Sequence, residues 1–360
     1  MSYESESRTL DAEILGLVEA WHRRGESPSD ASFNDLALRL FAYQLRYNGP
    51  YARYCARLGV TCAPASWESI PAVPAPAFAE AALATFDPRS AAAVFETSGT
   101  TRGTPGRHYL ETTQLYDAAL LAGFERLIVN RGARLRYLNL VPNPSERPHS
   151  SLGYMMAAVS DRLGDGRTAW YLRGDVLLAE EFERDLRAAI SAGAPVCIAA
   201  TSFALVHLLD ALHERNVRFE LPPGSRIMGT GGFKGRARVV EREELERGLR
   251  DAFGLPEGAI FSEYGMTELC SQYYDASGTG DYVGPPWLRT RVVGPDRKTL
   301  PRGEIGSLLH VDLANRSSCI AIQTEDLGMQ SDDGLVLLGR DREAALRGCS
   351  LDAESLTARR

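Results

Sequence analysis

The chain has 360 residues, of which 44% are hydrophobic and 24% are charged, a balance typical of globular proteins with a large core. Its formal net charge of −7 argues against nucleic acid or an anionic membrane as a partner, although binding a phosphate group needs only local donors. Because no apolar run approaches the roughly 18 residues of a membrane span and no signal peptide is visible, we expect a cytoplasmic protein whose six scattered cysteines are reduced thiols rather than zinc ligands.

Residues 1–90 are predicted to form a helical N-terminal region. Apolar side chains recur with helical spacing over residues 10–18 and again over residues 33–41. Three prolines between positions 71 and 76 then break the pattern. We interpret this region as a helical cap on the segments that follow.

Residues 91–282 are predicted to form an α/β core, because short apolar runs alternate with helical patterns. The strands are expected at residues 93–96, 136–141, 169–172, 195–200, 226–228 and 259–262. The helices are expected at residues 113–129, 152–163, 179–191, 203–214 and 237–253. This alternation is typical of an α/β fold with largely parallel pairing, in which ligands lie outside the carboxyl ends of the strands.

The character of the sequence changes after residue 282. Residues 304–309, 318–324 and 335–339 are short β-like runs separated by Gly and Asp turns. We therefore predict a small β-rich subdomain over residues 283–340 and a short C-terminal tail, residues 341–360, that carries Cys349.

A loop rich in glycine and hydroxyl groups is the first motif with chemical content. It reads E-T-S-G-T-T-R-G-T-P over residues 96–105, and we expect it to follow a strand and precede a helix. Glycine lets the backbone approach a ligand closely, and hydroxyl and backbone N–H groups can hold phosphate oxygens. The motif is not a Walker A loop, since no G-K-[S/T] ends it. The alternative is a polar turn.

A second motif, F-S-E-Y-G-M-T-E over residues 261–268, follows another predicted strand. Tyr264 could stack on a base, and Glu268 could hold a hard cation such as magnesium. Taken alone, the motif is equally consistent with a strand end followed by a solvated glutamate.

A third motif reads Q-T-E-D-L-G over residues 323–328 and is followed by L-G-R at 338–340. Asp326, which we expect at a strand end, could accept hydrogen bonds from two adjacent ribose hydroxyls. An Asp-Gly turn is the alternative.

Together, and in this order, the three motifs resemble those of the adenylate-forming superfamily of acyl ligases, luciferases and peptide-synthetase adenylation domains. Three further stretches are similar to the LuxE-type acyl-protein synthetases: G-T-G-G-F-K-G-R at 229–236, Y-G-M-T-E-L-C-S-Q at 264–272 and R-G-C-S-L at 347–351. The resemblance covers roughly residues 90 to 352. It implies an α/β large domain with mixed or parallel sheets flanked by helices, plus the small β-rich subdomain.

The resemblance also implies an activity: ATP and Mg²⁺ activate a small-molecule carboxylic acid as its acyl-adenylate, and pyrophosphate leaves. Carried across residue by residue, it assigns the ATP phosphates to Ser98, Gly99, Thr100 and Thr101. It assigns the adenine and acyl pocket to Gly231 and Gly232, adenine packing to Tyr264 with Gly265 and Met266, and the α-phosphate to Thr267. Glu268 would hold magnesium, Asp326 would bind the ribose with help from Arg340, and His149 would lie beside the substrate carboxylate.

The sequence departs from the wider superfamily in its cationic groups. Most members continue with a C-terminal lid domain that brings a catalytic lysine, whereas only 20 residues follow position 340 here, so we expect the lid to be absent or vestigial. The attack of one anion on another requires positive charge. Lys234 is our candidate for that charge, with Arg102 and Arg107 as alternatives.

The fate of the acyl group has several interpretations. In the LuxE type it moves to a cysteine near the C-terminus and then to a partner protein, a reductase or a carrier, and Cys349 lies in the matching stretch. Alternatively, the adenylate reacts directly with coenzyme A, a carrier protein or an amine. A third hypothesis is a nucleotide-binding pseudoenzyme that acts as a scaffold. The sequence does not identify the acid.

Overall fold

The computed structural model describes residues 2–97, 104–129, 132–174, 176–231 and 242–340. The chain divides into two compact units. The first unit takes Met1–Gly123, Met266–Gln272 and Val283–Arg360, and the second takes Phe124–Gly265 and Tyr273–Tyr282. The compact units therefore combine segments that are far apart in the chain, and the four regions predicted from the sequence stay a prediction.

The helices within the described residues are α1 (Tyr3–Arg24), α2 (Asp30–Tyr47), α3 (Gly49–Arg57), α4 (Gln114–Leu127), α5 (Ser151–Leu163), α6 (Ala179–Ser191), α7 (Ser202–Glu214) and α8 (Arg242–Phe253). The strands are β1 (Val73–Pro74), β2 (Ala93–Glu96), β3 (Arg107–Leu110), β4 (Arg136–Leu140), β5 (Ala169–Trp170), β6 (Leu172–Arg173), β7 (Val176–Leu177), β8 (Val196–Thr201), β9 (Arg226–Thr230), β10 (Ile260–Tyr264), β11 (Tyr273–Asp275), β12 (Asp281–Tyr282), β13 (Leu288–Val293), β14 (Gly306–Asp312), β15 (Ala321–Gln330) and β16 (Leu335–Arg340). None of the helices in these ranges is long and apolar enough to cross a membrane.

The N-terminal helices confirm the helical spacing predicted over residues 10–18 and 33–41. Apolar side chains of α1 at the predicted spacing are buried, among them Leu10, Ile14 and Val18. Helices α1, α2 and α3 each begin after a polar residue whose side chain accepts a hydrogen bond from a backbone N–H of the first turn. These capping residues are Ser2, Ser29 and Asn48.

The second unit is built on a sheet with the strand order β11-β10-β9-β8-β4-β5. All neighbours in it are parallel except β11, which pairs antiparallel with β10. The apolar faces of α6, α7 and α8 pack on this sheet in one core. The predicted α/β fold with largely parallel pairing is therefore confirmed, and β10, which leads into the Y-G-M-T-E motif, lies inside the sheet.

The first unit contains an antiparallel run of strands in the order β16-β15-β14-β13. The short strand β1 pairs in parallel with the beginning of β15. The β-like runs predicted after residue 304 correspond to β14, β15 and β16. Strand β13 was missed, because its sequence L-R-T-R-V-V begins with only weak alternation of apolar and polar residues.

The expectation that the Ser/Thr/Gly loop joins a strand to a helix is wrong. Strands β2 and β3, which flank the loop, pair antiparallel with Glu96 opposite Arg107, so the segment connects the two strands of a hairpin. Next to the loop, the two strands are joined by the hydrogen bond from the Thr97 N–H to the Gly106 carbonyl, at 3.0 Å. The Arg107 guanidinium also donates to the Glu96 carboxylate at 2.9 Å. Helix α4 begins only after β3.

Candidate functional site

Several residues predicted for the site lie outside the described residues. These are Ser98, Gly99, Thr100, Thr101, Arg102, Gly232, Lys234 and Cys349. The structure describes the remaining predicted residues, which are Arg107, His149, Gly231, Tyr264, Gly265, Met266, Thr267, Glu268, Asp326 and Arg340.

The Y-G-M-T-E motif lies where the chain passes from the second unit to the first, between Gly265 and Met266. Tyr264 is the last residue of β10, and its ring lies 5.8 Å from that of Tyr273. Glu268 is buried, with only 5% of its surface exposed. The alternative of a solvated glutamate at a strand end therefore does not hold, since a buried carboxylate is rare unless it has a specific task or partner.

Two buried side chains of the first unit hold the backbone of the motif. The ring Nδ1 of His108 lies 2.9 Å from the Thr267 carbonyl oxygen. The Asn315 amide Nδ2 donates to the Glu268 carbonyl at 2.8 Å, and the Asn315 Oδ1 lies 3.0 Å from His108 Nε2. Burial lowers the pKa of His108 to about 4, so the ring is neutral at pH 7.

The residues after the motif are anchored by a buried aspartate. Asp312 accepts hydrogen bonds from the Cys270 N–H and the Ser271 hydroxyl, both at 2.9 Å. Burial raises the pKa of the Cys270 thiol well above its usual range. A thiol that keeps its proton is a poor nucleophile, which favours a structural role for Cys270.

Asp326 and Arg340 are brought together, although not as expected. Asp326 lies inside β15 rather than at a strand end or in an Asp-Gly turn, so that part of the prediction is wrong. The two residues are opposite each other in β15 and β16, and Arg340 Nε donates to Asp326 Oδ1 at 3.0 Å. The register of β15 and β16 shifts just after this point, between Leu327 and Gly328.

Gly231 follows the end of β9 and has a φ of +69°, a left-handed conformation that favours glycine. The Ser202 hydroxyl donates to its carbonyl oxygen at 2.5 Å. A Cβ placed on Gly231 would meet nothing within 4 Å, so the glycine is required by its backbone conformation rather than by crowding among the described residues.

Glu263, one residue before Tyr264, was not singled out from the sequence. Its carboxylate is buried in the second unit and accepts a hydrogen bond from the Thr230 hydroxyl. Burial raises its pKa to about 7, against a smaller lowering by the Thr230 hydrogen bond. The sequence F-S-E-Y did not indicate that Glu263 is buried. Glu263 occupies an inward position of β10, where an apolar residue is normal, so a glutamate there is expected to face solvent.

This carboxyl group predicts a pH dependence of stability. Because its pKa is raised in the folded protein, Glu263 favours folding most at low pH, and this contribution is lost as the pH rises from about 4.5 to about 7. Relative to Glu263→Gln, the free energy of unfolding of the wild type should fall by about 3 kcal/mol across that window and stay level above it. Urea unfolding of both proteins at about pH 5 and about pH 8 measures the difference. A pH-independent difference would contradict the prediction.

His149 lies in an exposed turn just before Ser150, whose hydroxyl accepts from the Gly153 N–H at 3.0 Å and caps α5. Its role beside the substrate carboxylate stays a prediction.

Within the described residues, no group of three or more His, Cys, Asp or Glu side chains could hold a metal ion by itself. Glu268 offers a single buried carboxylate. That donor fits Mg²⁺, which is commonly held by one or two carboxylates together with substrate phosphates rather than by a full protein cage.

A family model described as "Acyl-protein synthetase, LuxE" matches residues 23–357. No curated protein matches the sequence significantly. Among solved structures, the open conformation of 2-hydroxyisobutyryl-CoA ligase in complex with 2-HIB-AMP and CoA superposes with a TM-score of 0.63 at 15% identity, covering 88% of this chain and 71% of that chain.

Two further structures match over a shorter stretch. McyG A-PCP with phenylalanyl-adenylate has a TM-score of 0.52 and 22% identity, covering 71% of this chain and 48% of that chain. ATP-bound MatB from Rhodopseudomonas palustris has a TM-score of 0.51 and 20% identity, covering 69% of this chain and 48% of that chain. The matched region thus spans about half the length of these two proteins. At such identities the likeness shows the fold, which is that of adenylate-forming enzymes, and does not assign an activity.

Proposed function

This chain belongs to the LuxE acyl-protein synthetase family, and on that basis we propose that it uses ATP to activate a carboxylic acid as its acyl-adenylate. The observation that carries the proposal is the Thr267–Glu268 segment, in which Glu268 is buried and whose two carbonyl groups are held by His108 and Asn315. A solvated loop has no need of such support, whereas a site that must place a hydroxyl and a carboxylate next to a phosphate does.

In the proposed reaction, a substrate carboxylate oxygen attacks the α-phosphorus of ATP and the bond to the bridging oxygen breaks, so that pyrophosphate leaves. Thr267 contacts the α-phosphate, and Glu268 would hold Mg²⁺ with phosphate oxygens completing its shell. The metal, when bound, supplies positive charge that offsets the approach of two anions. Asp326 and Tyr264 bind the ribose and the adenine, and His149 lies at the substrate carboxylate.

A cationic side chain should supply the rest of the positive charge. Of the three candidates, Arg107 is engaged with Glu96, which raises the pKa of its guanidinium and offsets its charge locally. This pairing favours Lys234 or Arg102 as the group that stabilises the developing charge on the phosphate.

The acyl group then moves, in our proposal, to Cys349 and on to a partner protein. The thiolate attacks the acyl carbonyl, AMP leaves, and a thioester retains the activated acyl group. Four of the described cysteines support this assignment, because burial raises the pKa of each thiol and disfavours the nucleophilic thiolate. They are Cys55, Cys197, Cys270 and Cys319.

The test of adenylation is acid-dependent pyrophosphate release with ATP, Mg²⁺ and a panel of fatty, aromatic and amino acids. Release that requires one class of acid is the expected result. If no acid of the panel causes pyrophosphate release although the protein binds ATP, the pseudoenzyme scaffold is favoured instead.

Intact mass on the same samples tests the thioester. We expect acylated wild type and an unmodified Cys349→Ala variant. Cys62→Ala is the matched control, since Cys62 is the exposed thiol among the described cysteines. Equal labelling of Cys349→Ala and wild type would contradict the Cys349 thioester. Direct transfer of the acyl group to coenzyme A, a carrier protein or an amine would then be the remaining hypothesis.

A further inference from the structure

Two other segments of the first unit meet at the Thr267–Glu268 backbone. His108 comes from β3, directly after the Ser/Thr/Gly loop, and Asn315 comes from the connection between β14 and β15. Both side chains are fully buried. The two carbonyl groups that they contact belong to adjacent residues, and the two side chains also contact each other at 3.0 Å. We refer to His108 and Asn315 as the carbonyl clamp.

The orientation of the Asn315 amide follows from its partners. The Glu268 carbonyl accepts only, so the Asn315 NH₂ must face it. The Asn315 oxygen therefore faces His108 Nε2, and it also lies 3.8 Å from the Cys270 thiol, a second donor. Both ring nitrogens of His108 consequently face acceptors, although a neutral imidazole carries a single N–H.

The ring can thus donate fully to only one partner. Because Asn315 Oδ1 has the Cys270 thiol as another donor, the tautomer with its proton on Nδ1 leaves the Thr267 carbonyl satisfied. The Phe78 ring packs against the imidazole in a T-shaped contact, with the centroids 5.9 Å apart and the planes at 89°. The imidazole is therefore fixed in place between Phe78 and the motif.

From this geometry we infer that His108 and Asn315 are positioning residues for adenylate formation, acting through the backbone on the side chains of Thr267 and Glu268. The inference rests on the proposed function, because it assigns those two side chains to the α-phosphate and to Mg²⁺. Neither clamp residue touches substrate in this role. The clamp sets where the Thr267 hydroxyl and the Glu268 carboxylate stand.

The two ring nitrogens can be tested separately. In His108→Asn, the shorter amide can place its nitrogen near the Nδ1 position and keep the bond to Thr267. In His108→Gln, the longer amide reaches the Nε2 position and keeps the contact with Asn315. We expect His108→Gln to lower kcat for acid-dependent pyrophosphate release by about 10- to 100-fold, and His108→Asn to lower it less. The Mg²⁺ concentration for half-maximal rate should rise in His108→Gln.

His310 provides the matched control, because it is a fully buried histidine of the same unit whose Nδ1 lies 2.8 Å from the Thr290 hydroxyl. His310→Gln should lose comparable stability in thermal unfolding while keeping the wild-type kcat and Mg²⁺ dependence. If His108→Gln and His310→Gln change kcat equally, or if His108→Asn is no better than His108→Gln, the positioning role is overturned.

The failure of this inference is distinguishable from failure of the proposed function. If the wild type releases no pyrophosphate with any acid, the proposed reaction fails. Equilibrium binding of MgATP then tests whether the carbonyl clamp positions Thr267 and Glu268. Weaker MgATP binding by His108→Gln than by His310→Gln supports the clamp. Equal binding by the two variants, or no binding by the wild type, overturns it.

Discussion

Replacing Glu268 with Gln is expected to reduce acid-dependent pyrophosphate release by about 100-fold or more while leaving the protein folded. Gln keeps the size of the side chain and removes its charge, so the proposed contact with Mg²⁺ is weakened. The bond from Asn315 to residue 268 uses the main-chain carbonyl, and the substitution therefore does not remove it. Initial rates at saturating ATP, measured over a range of Mg²⁺ concentrations, give both the loss and its metal dependence.

The control for this prediction is Glu304→Gln, which makes the same chemical change at an exposed glutamate of the first unit. It should keep the wild-type rate at every Mg²⁺ concentration. An undiminished rate in Glu268→Gln would remove Glu268 from the machinery and with it the assignment of the metal.

The second large effect is on stability: Arg316→Met should lower the free energy of unfolding by about 3–5 kcal/mol. The Arg316 side chain is 3% exposed, and its guanidinium donates to both Asp11 oxygens, at 2.7 and 2.9 Å. It also donates to Glu111 at 2.5 Å. Removing the arginine leaves two partly buried carboxylates without this cation, and their loss of pairing is the main cost.

Arg39→Met is the matched comparison, because Arg39 also pairs with two carboxylates, Glu13 and Asp35, but its side chain is 43% exposed. Its loss should cost less than about 1 kcal/mol. Urea unfolding followed by tryptophan fluorescence suits the comparison, since Trp21, Trp67 and Trp287 all belong to the first unit. Similar losses in the two variants would show that burial does not decide the strength of these ion pairs.

The sequence predicted the parts of the fold whose signal is local. Helices α5, α6 and α7 were predicted to within one residue at each end, because apolar periodicity over a dozen residues is a strong signal. Strand β2 was predicted at residues 93–96 from its apolar run, but β3, R-H-Y-L, begins with two polar residues and has no such run, so the hairpin was missed.

The site was predictable only where its residues are close in the chain. The Y-G-M-T-E box could be read directly, whereas the clamp could not, because His108 contacts residues 159 and 207 positions further along. A lone histidine in a short strand carries no sign of such partners. Asp326 was predicted as a site residue, but its pairing opposite Arg340 inside β15 depends on a second strand 14 residues further along, which local composition does not encode.

The division of the chain has a consequence for how the protein is made. The first unit combines the N-terminal helices with strands that follow residue 282, as in the contact of the Trp21 and Trp287 rings at 5.3 Å. During synthesis, these helices leave the ribosome long before the strands that cover them exist. The second unit, by contrast, has all its residues once Tyr282 has emerged. Its sheet can therefore form first. The apolar faces of the N-terminal helices stay uncovered until the residues after 282 have been made, and they are the surfaces that a nascent-chain chaperone would cover.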